Sequence, residues 1–178
     1  MKRLAMIALT LAACSSTDAQ TMQPVFSDWQ KALVDGKFDY IYSHTSVTLK
    51  SRWLYDLFAS GNQVALEANK KLTKEMADDF DHWYVANRRE HSPGMIPTAL
   101  PATLARSPWL EEVLRASFKN AQPGLKGEFN ALQFKDARID QDKATIMVEN
   151  RHGRPEAFEI VKEDGIWKWN YWKPGPPK

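Results

Sequence analysis

The spacing of apolar residues changes character once along this chain. Up to residue 119 they recur every three or four positions, as amphipathic helices require; from Gly127 onward they alternate, as strands with one buried face require. Helices followed by strands, with tight turns between the strands, predict an α+β domain. In it the N-terminal helices pack on a C-terminal, bent, four-stranded antiparallel sheet.

The helical part starts at Pro24, a residue suited to a first helical turn, and carries Val25, Phe26, Trp29, Ala32 and Leu33 on one side. Asp35-Gly36 ends it. A short helix is expected over residues 39–44, followed by a Ser/Thr-rich turn over 43–48. Further helices are expected over 50–60, 62–72 and 74–89. Thr73 is a natural N-cap for the last of these, and Met76, Phe80, Trp83 and Tyr84 form its apolar stripe. Residues 91–107 contain Pro93, Pro97 and Pro101, a density that excludes a regular helix and predicts a long loop. Ser107-Pro108 then caps a helix expected to run to about Lys119.

The strand part opens with residues 129–139, whose apolar phase slips between Ala131 and Leu132, as at a β-bulge. Ala144, Ile146 and Val148 alternate in a second strand, and Phe158 and Ile160 mark a third. Glu163-Asp164-Gly165 is a hairpin signal. Trp167, Trp169 and Tyr171 alternate onto one face of the last strand, with Trp172 on the other. Residues 24–173 thus form one domain, and the proline-rich residues 174–178 a frayed tail.

The N-terminus carries a different signal. Lys2 and Arg3 precede an apolar run over residues 4–13, long enough for a signal-peptide core and short of the roughly 20 residues a membrane-spanning helix needs. The run ends at Cys14, the only cysteine. Leu11-Ala12-Ala13-Cys14 resembles the lipobox of bacterial lipoproteins. The resemblance implies cleavage between Ala13 and Cys14 and acylation of Cys14, including palmitate-type chains, with residues 14–23 as a polar tether. Each buried methylene contributes about 0.8 kcal/mol, so two or more chains hold a protein on a membrane. An ordinary secretory signal with an incidental cysteine is the alternative. Ser15 after the cysteine is similar to outer-membrane routing signals in Gram-negative hosts, and the resemblance implies a periplasm-facing, envelope location.

Removing residues 1–13 takes the basic residues from 24 to 22, equal to the 22 acidic ones. The balanced charge lacks the basic excess that nucleic-acid binding uses. An acylated Cys14 leaves no disulfide, so stability rests on packing, for which seven tryptophans supply large burial.

The stretch Phe26-x-x-Trp29-x-x-Ala32-Leu33-x-x-Gly36-x-x-Asp39 resembles the first helix and turn of NTF2-like domains. The stretch Phe158-x-Ile160-Val161-x-Glu163-Asp164-Gly165-Ile166-Trp167-Lys168 is similar to their last hairpin. Residues 48–121 depart from that pattern by holding more helix and no clear early strand, so another helical-cap-plus-sheet fold stays open. The resemblance implies a cone-shaped sheet, as in cystatin-like folds, around an apolar pocket that relatives use either for catalysis or for binding.

Candidate chemistry is sparse. Asp78 and His82 stand at i and i+4 and could pair as a proton-transfer site or as a plain surface ion pair. His44, His82, His91 and His152 lack metal-ligand spacing, and no nucleophile elbow or phosphate loop is present. Trp167, Trp169 and Tyr171 form either a core face or a glycan-stacking platform. No cofactor is expected. These features favour a non-enzymatic envelope lipoprotein binding a partner protein, with an apolar patch near residues 95–104, or a small apolar ligand. An envelope enzyme using Asp78, His82 or His44 in a pocket, and a peptidoglycan-binding module, are the alternatives.

Overall fold

A computed structural model describes residues 17–90 and 97–173, with the backbone alone for Arg89, Glu90 and residues 171–173. Ala13 and Cys14, with the cleavage expected between them, lie outside the described residues, as do His91, Met95 and the 174–178 tail. The architecture is α+β. Seven helices come first among the described residues, and a four-stranded sheet that does not close follows in the order β1-β2-β3-β4, antiparallel throughout.

Helix α1 (Thr17–Asp35) begins seven residues before Pro24, so residues 17–23 are not the tether expected of them. Pro24 has no N–H to give to the preceding turn, and a proline inside a helix costs about 3 kcal/mol. Packing upstream offsets it: Ala19 is buried, and Met22 is buried in the same core as Phe26, Trp29, Ala32 and Leu33. The Asp18 carboxylate also accepts the Ile139 N–H (2.9 Å), which joins the start of α1 to an edge strand.

Gly36 (φ 71°) turns the chain out of α1 in a left-handed conformation that suits glycine. Helix α2 (Phe38–Ser43) buries Phe38 and Ile41. Helix α3 (Val47–Ala59) starts earlier than expected, because the Ser46 hydroxyl accepts the Leu49 N–H (3.1 Å) as an N-cap. Helix α4 (Gln63–Asn69) is capped by Asn62. Helix α5 (Lys74–Glu90) follows Thr73, whose hydroxyl accepts the Met76 N–H. Within the proline-rich stretch, a single helical turn, α6 (Ala102–Ala105), buries Leu104.

Helix α7 (Pro108–Phe129), capped by Ser107 as expected, runs ten residues beyond Lys119 and absorbs the start predicted for the first strand. Pro123, Gly124 and Gly127 lie exposed in it, while Leu125 and Phe129 continue the seam of Leu114 and Phe118. The Gln122 amide donates to the Val34 carbonyl (3.1 Å) and ties this second half of α7 to the end of α1. Apolar burial thus carries the helix through residues that usually stop one.

Strands β1 (Gln133–Asp140), β2 (Lys143–Glu149), β3 (Pro155–Glu163) and β4 (Ile166–Lys173) form a meander. Ala137, Ala144, Ile146, Val148, Phe158, Ile160 and Trp169 are buried in the shared core. The β1 irregularity lies between Phe134 and Asp136, beyond the predicted slip at residues 131–132, which fall after α7. Asp164 (φ 54°) and Gly165 (φ 79°) make the tight β3–β4 turn.

A second irregularity breaks the expected alternation of β4. Ile160 stands opposite Trp169 but Glu159 opposite Tyr171, which leaves Asn170 as the extra residue. Trp172, rather than Tyr171, takes the register position opposite buried Phe158. Trp167, Trp169 and Tyr171 therefore do not make one continuous face. The bulge coincides with a contact from outside the sheet. Residues 44–46 run parallel to β4, with Trp169 N–H donating to His44 O and Ser46 N–H to Trp169 O (both 2.8 Å). The Ser46 hydroxyl meets the Asn170 amide oxygen at 2.9 Å. This bridge covers part of an edge that would otherwise present unpaired backbone groups, where a plain turn was expected.

Candidate functional site

A cavity of about 470 Å³ opens between α1, α3 and α7, with β3 and β4 behind it. Its size falls within the roughly 300–1,000 Å³ of small-molecule sites. Trp29 and Leu33 come from α1, Leu49 and Trp53 from α3, and Phe118, Leu125 and Phe129 from α7. Phe158 and Trp169 come from the sheet, and exposed Ala121 stands on the α7 side.

The aromatic walls hold each other in place. Trp29 stacks on Trp169 with centroids 3.9 Å apart and planes 28° from parallel. Phe129 meets Trp29 edge-on at 5.1 Å, and Phe158 meets Trp169 edge-on at 5.1 Å. The Gln30 amide donates to the carbonyls of Phe129 (2.5 Å) and Leu132 (2.9 Å), which fixes the end of α7 against α1. These contacts keep the rings from collapsing into the space.

Three polar side chains line the cavity. Thr45 donates its hydroxyl to Ile41 O (2.6 Å) and is satisfied. Arg52 and Asp56, one helical turn apart on α3, pair through Nε and Oδ2 at 3.3 Å. Asp56 is half exposed, whereas the Arg52 side chain is only 25% exposed. Two donors of cavity-lining residues, Arg52 Nη1 and Trp29 Nε1, are buried without a protein acceptor and are enclosed by neighbouring atoms, closed off from the cavity space. Buried donors ordinarily find partners, and an unmet one costs about 1–3 kcal/mol.

The residues singled out from sequence fall differently. Trp169, 2% exposed, is a wall of the cavity rather than a surface platform. Trp167 is half-buried, and the Lys162 ammonium lies 5.6 Å from its ring. The side chain of Tyr171 lies outside the description. Asp78 and His82 are both exposed on α5, and no hydrogen bond or ion pair joins them. His44 stacks on Tyr40 at 3.9 Å, and its Nδ1 lies 2.9 Å from Tyr40 O, so it belongs to the α2 end and not to the cavity lining.

Arg52 and Asp56 were missed by the sequence reading. The available signal was an arginine beside Trp53 and Leu54, with a carboxylate at i+4. Among the described residues, no three His, Cys, Asp or Glu side chains come together as metal ligands, and no helix is long and apolar enough to cross a membrane.

Outside the cavity, Lys50 on α3 is half-buried with its Nζ 3.8 Å from the centre of the Tyr42 ring. Burial, and then the nearby Lys168 ammonium, push its pKa down to about 8, against the opposing pull of Glu163 and Glu111. Compared with family models, with curated proteins and with solved structures, the chain matches none of them.

Proposed function

We propose that the chain is a lipid-anchored, periplasm-facing envelope protein whose NTF2-like domain binds a small apolar ligand without chemical turnover. The observation that carries the binding role is the aromatic cavity between α1, α3, α7 and the sheet, large enough for a small molecule and lined almost wholly by carbon. Its polar groups, an arginine–aspartate pair and one satisfied threonine, suit orientation of a bound molecule. None is a histidine, cysteine or lysine poised as a base or nucleophile toward the space.

The anchoring role rests on the lipobox-like Leu11-Ala12-Ala13-Cys14. Residues 17–23 belong to α1, so a lipid on Cys14 would hold the domain close to the bilayer.

Native mass spectrometry of the protein extracted from its own envelope tests both roles. The account expects an acylated chain starting at Cys14, carrying a small apolar adduct that is released on unfolding. Palmitate labelling is expected to vanish in Cys14→Ala. A chain without lipid would refute the anchor, and an adduct-free protein that also takes up no apolar probe would refute the binding role.

A further inference from the structure

We propose that the cavity takes an apolar molecule bearing one positively charged amine, with the body along the carbon wall and the amine held between the Trp53 ring and the Asp56 carboxylate. The proposal rests on the reading of the cavity as a ligand site and adds the charge of the ligand.

The carrying observation is which side chains of the wall keep accessible surface. Phe158 and Trp169 are almost wholly enclosed. Trp53 and Asp56 are not: the Trp53 ring is half-buried and the Asp56 side chain 55% exposed, and both line the cavity. They stand at i and i+3 on α3, which makes them neighbours on one side of the helix. The Trp53 indole donates to the Ser117 hydroxyl (3.3 Å), and Phe118 meets its ring at 6.4 Å and 66°, so the ring is held in position. A cation over an aromatic face is attracted by the ring quadrupole, and tryptophan is the best such partner.

Arg52 is the other charged residue of the lining, and it leaves the carboxylate available. Its Nε meets Asp56 Oδ2 at 3.3 Å, its Nη1 is enclosed, and its side chain is less than half as exposed as that of Asp56. A carboxylate accepts about four hydrogen bonds on its two oxygens. A ligand therefore meets more of the carboxylate than of the guanidinium. An anion would meet the same carboxylate and the negative faces of the rings, and a neutral molecule would gain little from either.

The test titrates the full chain, in detergent-free buffer at neutral pH and low salt, with diphenylhexatriene and with its trimethylammonium and propionate derivatives. These fluorescent probes share one body and differ in charge. The cation is expected to bind about tenfold more tightly than the hydrocarbon, and the anion no more tightly than the hydrocarbon. Asp56→Asn, at a half-exposed site, is expected to remove most of that preference with hydrocarbon binding unchanged. Trp53→Leu should also lower the ratio of cation to hydrocarbon affinity, which separates recognition by the pair from general attraction to a surface charge. Arg52→Met, which removes the competing cation, should keep or raise the ratio.

Equal binding of cation and hydrocarbon, or tightest binding of the anion, would overturn the proposal. So would a ratio that Asp56→Asn or Trp53→Leu leaves unchanged, or that falls in Arg52→Met. Each of those results leaves the cavity standing as a ligand site. Failure of all three probes to bind the wild-type chain would instead remove the ligand-site reading and this proposal with it.

Discussion

Two aromatic clusters divide this domain, and they treat their tryptophans in opposite ways. In the cluster formed by α3, α5 and α7, Phe58, Phe80, Trp83, Tyr84 and Trp109 pack ring against ring, with Phe58 and Phe80 at 4.4 Å. There the Trp83 indole donates to Thr98 O and the Trp109 indole to Ala68 O, both at 2.9 Å. In the cluster between α1, α7 and the sheet, Trp29 and Trp169 are buried as deeply, yet the Trp29 indole has no protein acceptor and a cavity stands beside it. Equal burial with unequal satisfaction separates a closed, fully bonded cluster from one that borders a cavity.

The largest effect that could break this comparison is on the closed side. Trp109→Ala is expected to cost about 3–5 kcal/mol in urea unfolding, because it empties a packed position and removes the bond to Ala68. The cavity should still take up its probe under conditions where the variant stays folded. A smaller and sharper pair follows. Trp83→Phe should cost about 1 kcal/mol more than Trp29→Phe, since only the former loses an indole hydrogen bond. Equal costs would mean that the two indoles are equally satisfied in solution.

Ser107→Ala, which removes the cap of the helix both clusters share, should cost about 1 kcal/mol by the same measurement. A further effect is a pH dependence. The unfolded chain keeps the Lys50 proton up to the ordinary lysine value of 10.5, the folded chain only to about 8. Between those values the unfolded state binds more protons, so stability rises with pH. Below about 8 both states are charged, and the cost of burying that charge is fully present. Lys50→Met should flatten the rise, as unfolding midpoints across that range would reveal.

What could be read from sequence was what neighbours along the chain determine. The α+β order, the Ser107 cap, the α5 stripe and the Asp164-Gly165 turn each depend on a few adjacent residues. The errors share one cause. Pro24 reads as a helix start and the last helix as ending near Lys119, but Met22 on one side and Phe129 on the other are held by distant partners. The slip at Asn170 coincides with a contact from Ser46, far away in sequence, and the plain alternation that would put Tyr171 in phase with Trp169 does not hold. The candidate site was half legible. Burial of Trp29 and Trp169 followed from periodicity, while Arg52 could not be singled out, because periodicity does not reveal which polar atom ends without a partner.

Titration of the full chain with diphenylhexatriene, beside Ala121→Trp, tests the central claim most directly. Ala121 is exposed at the cavity, so a larger ring there obstructs the space without disturbing the packed cluster. The account predicts a saturable, one-to-one rise in fluorescence for the wild type that is lost in Ala121→Trp, with the unfolding midpoint unchanged. No saturable binding to the wild type, or the same binding in the variant, would contradict it.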